Sequence, residues 1–218
     1  MRILLLKNLR EKDNKKIRTI ELFGLSRSGK TSLLKELIKK GNKGILTRDI
    51  SSEKKLFFLF KYFLKRPIKT LYLFLKLNTN WIIYNNISLK DYIKIFKMRN
   101  SYLGSVLGKY EIVKNKKEKF YIDEFIIQAL FMIIQKKSDE KEIKNLLKKL
   151  PSIGEIMLVE SNKKERYKRI KNTRFPAQQI SEDYSIEWMK NSEYNYKIIK
   201  KILIKKYGPI EWMKRINL

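Results

Sequence analysis

The sequence predicts a three-layer α/β sandwich, and three observations carry that expectation. Short β-type segments alternate with helical ones along 218 residues, enough chain for one α/β domain with a sizeable core. The first of those segments runs into a glycine-rich loop, and an amphipathic helix follows it at once. Hydrophobic residues make up 43% of the chain and aromatics 12%, the composition of a folded protein. Strands that alternate with helices imply a parallel sheet covered on both faces.

Taken in order, the β-type segments are Ile17–Phe23, Gly44–Thr47, Phe120–Ile122, Glu155–Val159 and Ile210–Ile216. The helical pattern Thr31–Lys40 places Leu33, Leu34, Leu37 and Ile38 on one face, and Gly41 stands where the helix should end. Ser138–Leu150 opens on Ser138 as its cap and repeats Ile143, Leu146, Leu147 and Leu150 at helical spacing. Ser161–Lys171 and Asn191–Lys206 are the remaining helices outside the middle of the chain. Residues Lys54–Lys90 differ in kind, with nine aromatics, eight basic residues and no acid. Pro67 divides that stretch into two helical halves. It reads as a helical insert, about 52–112, between the second and third strands of a single domain spanning 1–218.

The chain contains no cysteine and no histidine. That excludes disulfides, Ser-His-Asp and Cys-His nucleophilic catalysis, and a thiolate zinc site. The N-terminus offers only a short apolar run without a small-residue cleavage site, so no signal peptide is expected. No apolar stretch approaches the ~18 residues of a transmembrane helix. The expected location is cytoplasmic. The net charge of +29 has two readings: a lysine-rich compositional bias, since only 11 of 51 basic residues are arginine, or an anionic partner such as nucleic acid or an acidic membrane surface.

Residues Gly24–Thr31 read GLSRSGKT and fit the phosphate-loop pattern G-x-x-x-x-G-K-[ST]. Glycines at Gly24 and Gly29 let the backbone of Leu25, Ser26, Arg27 and Ser28 close around phosphate oxygens. The helix beginning near Thr31 and Ser32 adds its positive end. Lys30 reaches the outer phosphates, and the Thr31 hydroxyl suits magnesium (Mg2+). A second metal-holding acid is needed, and the apolar strand ending in Asp123-Glu124 supplies Asp123. Glu124 either orients a water, contacts an acceptor hydroxyl, or is a solvated acid at a helix start. Arg166 and Arg169 lie one turn apart in ERYKRIKNTR, with Lys171 and Arg174 beyond. They either stabilise a migrating phosphoryl group or form the solvated face of one more basic helix.

Phosphate loop, strand-end acid and arginine-rich lid helix, in this order from about Ile17 to Ile216, resemble the thymidylate kinase-like nucleotide kinases of the P-loop NTPase superfamily. The resemblance implies a three-layer α/β/α fold with a five-stranded parallel sheet of order 2-3-1-4-5, a lid at about 161–182, ATP as phosphoryl donor and magnesium as cofactor. It implies an enzyme that moves the γ-phosphoryl of ATP to a small nucleotide-like acceptor, with Lys30, Asp123, Glu124, Arg166, Arg169 and Arg174 as catalytic groups. Acceptor contacts fall to Arg48, Asp49 and Arg99. The chain departs from the family in carrying Asp123-Glu124-Phe125 where an acid-arginine pair is usual, and four residues separate Arg169 from Arg174. A looser resemblance is to thymidylate kinase-like ATPases, whose third strand ends in Asp-Glu with a glutamine soon after, as Gln128 stands here. A non-kinase ATPase or nucleotide-gated switch is therefore the alternative. The aromatic-basic insert has three readings: core beneath a lid, a membrane-surface element, or a platform for single-stranded bases.

Overall fold

The computed structural model describes residues 2–6, 19–45, 51–79, 88–114, 118–151, 154–171, 182–207 and 209–213. Within them, six strands form one sheet: β1 Arg2–Leu6, β2 Thr19–Phe23, β3 Gly44–Ile45, β4 Phe120–Asp123, β5 Glu155–Glu160 and β6 Pro209–Met213. The helices are α1 Lys30–Lys39, α2 Ser52–Lys65, α3 Pro67–Thr79, α4 Leu89–Val113, α5 Leu130–Ile133, α6 Glu140–Lys149, α7 Lys163–Lys171 and α8 Glu182–Tyr207.

The sheet order is β3-β4-β2-β5-β1-β6. Strands β3, β4, β2 and β5 run parallel, which gives the expected 2-3-1-4 portion of the sheet. The fully parallel five-stranded sheet does not hold. The N-terminal RILLL is a strand, antiparallel to β5 on one side and to β6 on the other. Its four consecutive apolar residues suit a position inside a sheet, where both faces are covered. Ile3, Leu4 and Leu6 are accordingly buried. The last strand sits at the edge, as expected, but beyond β1 rather than against β5.

Two cores lie on opposite faces of the sheet, as the two-residue alternation of a strand requires. On one face, Ile3, Ile20, Leu22, Met157 and Val159 pack against Leu33, Leu34 and Leu37 of α1. On the other, Leu4, Phe23, Ile122, Ile156 and Leu158 join side chains from α2, α3, α4, α6 and α8. The layers are therefore unequal among the described residues. The helices of the insert share this larger core through Tyr62, Leu73, Leu77, Leu103 and Leu107, so they are built into the domain.

Local signals explain the element ends. Gly41 sits at φ 83° just past α1, a left-handed position that glycine occupies without strain. Pro67 opens α3, where its missing N–H costs nothing. Ser88 caps α4 by accepting from Asp91 N at 3.1 Å. Asp139, not Ser138, caps α6, accepting from Glu142 N at 2.7 Å. The Ser138 amide is instead bound by Asn195 Oδ1 at 3.0 Å. α8 is 26 residues long, starting nine residues earlier than the Asn191 start expected from the sequence.

Candidate nucleotide site

The site forms where the central strand β2 ends and α1 begins, with β4 beside it. Gly24 has no room for a side chain: a Cβ there would lie 2.2 Å from the Val159 carbonyl oxygen of the adjacent strand. The loop then turns through Arg27 at φ 62° and Gly29 at φ 101°, both left-handed. Ser28 N donates to Leu25 O at 3.2 Å. The first amides of α1, at Lys30, Thr31 and Ser32, have no intrahelical acceptor and lie at the positive end of the helix, the arrangement that binds anions. The buried Ser28 hydroxyl has no hydrogen-bond partner, a polar group in the loop left for a ligand to satisfy.

Lys30 is buried, and its ammonium donates to the carbonyls of Gly24 (2.8 Å) and Leu25 (3.0 Å). Burial lowers its pKa to about 8, opposed by the carboxylates of Glu124, Asp123 and Glu21. Thr31 Oγ1 donates to Asp123 Oδ2 at 3.0 Å, so the loop hydroxyl and the strand-end acid meet directly. Parallel pairing sets this contact: Leu22 of β2 is in register with Asp123 of β4. Glu124 follows at φ 48°, a conformation that costs a non-glycine residue energy and concentrates at functional sites.

Two hard oxygens 3.0 Å apart beside the glycine loop have the chemistry that suits magnesium. That ion retains waters and takes one or two protein oxygens together with substrate phosphates. Among the described residues no group of three or more acidic side chains could hold a metal alone.

Beneath the loop lies a buried acid that motif reading missed. Glu21, fully buried in β2, accepts from Ile127 N at 2.9 Å and Gln128 N at 2.8 Å. Burial pushes its carboxyl up to about 7, against those two amides and the nearby charges of Lys109 and Lys30. Lys109, also buried, donates to Glu124 O at 2.6 Å. Glu21 and Lys109 thereby fix the turn that follows Asp123. The available signal for Glu21 was one acid inside the otherwise apolar TIELF, immediately before the glycine loop. For Lys109 nothing in the local sequence distinguishes it from other lysines.

A cleft of ≈ 1000 Å³ opens from the loop. Residues 26–32 and Glu124 line one part; Tyr102, Gln128, Phe131, Gln135, Tyr184 and Trp188 line the rest. Helix α8 holds this wall in place. Gln135 Nε2 donates to Tyr184 Oη at 2.6 Å, and Asn191 Nδ2 donates to Gln135 O at 2.9 Å. Gln128 Oε1 faces Gly24 N at 3.5 Å, which ties the glutamine after Asp123-Glu124 to the phosphate loop.

Helix α7 brings Arg169 to the site: it lines the cleft and its NH1 donates to Arg27 O at 3.2 Å. Lys168 lines the cleft too. Arg166 lies to the side, buried and ion-paired with Glu193, in a neighbouring hollow with Leu25 and Ser28. Arg99 does not line the cleft. Its guanidinium is buried behind the wall and donates twice to Met132 O, at 3.1 and 3.0 Å. In this position Arg99 braces the α4–α5 contact. Arg48, Asp49 and Arg174 lie outside the described residues. Comparisons of the chain with protein-family models, with curated proteins and with solved structures return no match.

Proposed function

We propose that this chain is a magnesium-dependent phosphotransferase of the thymidylate kinase-like kind, built on a P-loop NTPase scaffold and moving the γ-phosphoryl of ATP to a small nucleotide-like acceptor. The single observation that carries the reading is the Thr31–Asp123 contact at 3.0 Å beneath the loop, at the head of a cleft large enough for a second substrate. The β4-β2-β5 portion of the sheet supplies the strand-loop-helix geometry that the reading needs, and β1 is an addition outside the site.

Each group has a task in this proposal. Loop amides and Lys30 hold the outer phosphates, Lys30 leaving the carbonyls of Gly24 and Leu25 to do so. Thr31 and Asp123 would hold magnesium, which would supply charge neutralisation on the phosphates. Arg169 reaches the transferring group from the lid side, with Arg174 as a further lid cation; Arg166 would have to leave Glu193 to join them. The aromatic wall of Tyr102, Phe131, Tyr184 and Trp188 suits a flat ring, and Gln128 and Gln135 offer hydrogen bonds at its edge.

One observation favours the ATPase reading instead. Glu124 lies in a strained left-handed conformation, lines the cleft, and heads the carboxylates acting on Lys30. That is a place from which a carboxylate can orient an attacking water. The two readings separate on incubation with ATP and magnesium, with and without a panel of nucleoside monophosphates. The proposal expects ADP to form only with a particular acceptor and that acceptor to gain phosphate. Free phosphate released at the same rate without any acceptor would assign the chain to hydrolysis.

A further inference from the structure

Helices α2, α3 and the start of α4 each leave a row of large apolar side chains in solvent. In α2 these are Leu56, Phe57, Phe60, Phe63 and Leu64, with Leu56 67% exposed and Phe60 60%. At about 100° per residue the five fall within an arc of about 120°. In α3, Ile68 (83% exposed), Leu71 and Leu75 repeat the pattern at i, i+3 and i+7. In the first two turns of α4, Leu89, Tyr92, Ile93 and Phe96 do so at i, i+3, i+4 and i+7. The opposite faces of the same helices bury Tyr62, Leu73, Leu77 and Ile95. Each helix therefore has two apolar faces, one spent on the core and one not.

Lysines border the outward face in every case. Lys54, Lys61 and Lys65 begin about 40° beyond the α2 arc; Lys69 and Lys76 flank that of α3, and Lys90, Lys94 and Lys97 that of α4. The acids on these helices are few: Glu53 at the start of α2, Asp91 at the start of α4 and Glu111 near its end, which pairs with Lys65 at 3.7 Å; Lys76 pairs with Glu142 of α6 at 3.9 Å. No helix among the described residues is long and apolar enough to cross a membrane.

We propose that this face docks the protein on the surface of an acidic phospholipid bilayer, with the apolar row entering the headgroup–acyl boundary and the bordering lysines meeting lipid phosphates and carboxylates. A helix lying in the interface needs both parts: leucine and phenylalanine on one side, lysine beside them. The charge argument selects this occupant over a second copy of the chain, because self-pairing would set lysine borders against one another in a protein of net charge +29. The side chains select it over a single-stranded nucleic acid. Leu56, Leu64, Ile68, Leu71 and Leu75 are aliphatic and give bases no stacking surface.

The test is flotation of the full chain with vesicles of phosphatidylcholine alone and with 30% phosphatidylserine, at rising salt. The proposal expects binding to the anionic vesicles, at least tenfold weaker without phosphatidylserine, and declining with salt. The triple variant Leu56→Ser, Phe60→Ser, Leu64→Ser should lose at least tenfold in partitioning while its circular dichroism and ATP binding stay native, as these side chains are exposed. Lys54→Glu with Lys61→Glu should weaken anionic vesicle binding to a similar degree. A Phe60→Trp reporter should shift its emission to the blue on vesicle addition. Unchanged binding by the triple variant would overturn the proposal. So would a dimer, formed without lipid and abolished by the same triple variant, or an oligonucleotide bound through the same residues.

Discussion

Lys30 has two states available within ordinary pH, because burial has brought its pKa down to about 8. Its ammonium is shared between the carbonyls of Gly24 and Leu25, acceptors without formal charge. A polyphosphate placed beside it would favour the charged form and raise that pKa, so binding takes up a proton above pH 8. The sign follows: affinity is complete below about 8 and falls as the pH rises past it, by up to about tenfold per unit. Calorimetric titration of ATP between pH 7 and 10, in buffers of different ionisation heat, should show both the fall and the proton uptake. Lys30→Met should bind weakly and without that pH dependence. A native chain whose affinity is level from pH 7 to 10 would remove Lys30 from the phosphates.

At the scale of elements, β1 alters what the fold rests on. It lies between β5 and β6, with Leu6 fully buried in the larger core. Leu6→Ala is expected to cost about 3 kcal/mol, a transfer loss plus a cavity. The same change at Leu56 in α2 should cost under about 0.5 kcal/mol, as expected of an exposed position. Urea denaturation compares the two, and equal losses would contradict an interior strand. The parallel core of the sheet was legible because each of its strands adjoins a punctuating residue, as β2 adjoins Gly24 and β4 adjoins Asp123. β1 was not, since no glycine or proline stands beside its short apolar run and its antiparallel partner, Glu155–Glu160, lies far along the sequence. The glycine loop and Asp123 were legible because the phosphate-loop pattern ties residue type to fixed spacing, with glycine at the turns of Gly24 and Gly29 and an acid at the end of an apolar strand. The cleft wall was not. Tyr102, Gln135 and Trp188 come from three distant elements, and only packing against α8 through Asn191 and Asn195 brings them together. The burial of Arg99 against Met132 was not legible either, since nothing in the sequence of α4 separates a buried arginine from an exposed one.

Over the whole molecule, two buried charges beneath the loop set opposing demands on pH. Glu21 has a folded pKa near 7 against 4.5 in an open chain, so the folded state holds its proton more tightly. Its contribution is complete below pH 4.5 and is lost as pH rises to about 7. Lys30 is lowered from 10.5 to about 8, so its contribution runs the other way, lost as pH falls from 10.5 through 8. The two together place a minimum of stability between about pH 7 and 8. There the folded chain carries an ionised Glu21 held by two amides and the neighbouring ammonium groups of Lys109 and Lys30. The Glu21 shift corresponds to at most about 3 kcal/mol across its window. Glu21→Gln should be less stable at pH 5, because an amide cannot accept from both Ile127 N and Gln128 N as the carboxyl oxygens do. Its stability should nevertheless change less between pH 5 and 7.5 than that of the native chain, since the titrating group is gone. Urea denaturation of both chains at pH 5, 6 and 7.5 reads this as a difference in slope, which other titrating groups common to the two chains do not affect. Parallel slopes would mean that Glu21 stays ionised throughout, paired with Lys109 and Lys30 as a permanent buried ion cluster rather than as the proton-holding base of the loop.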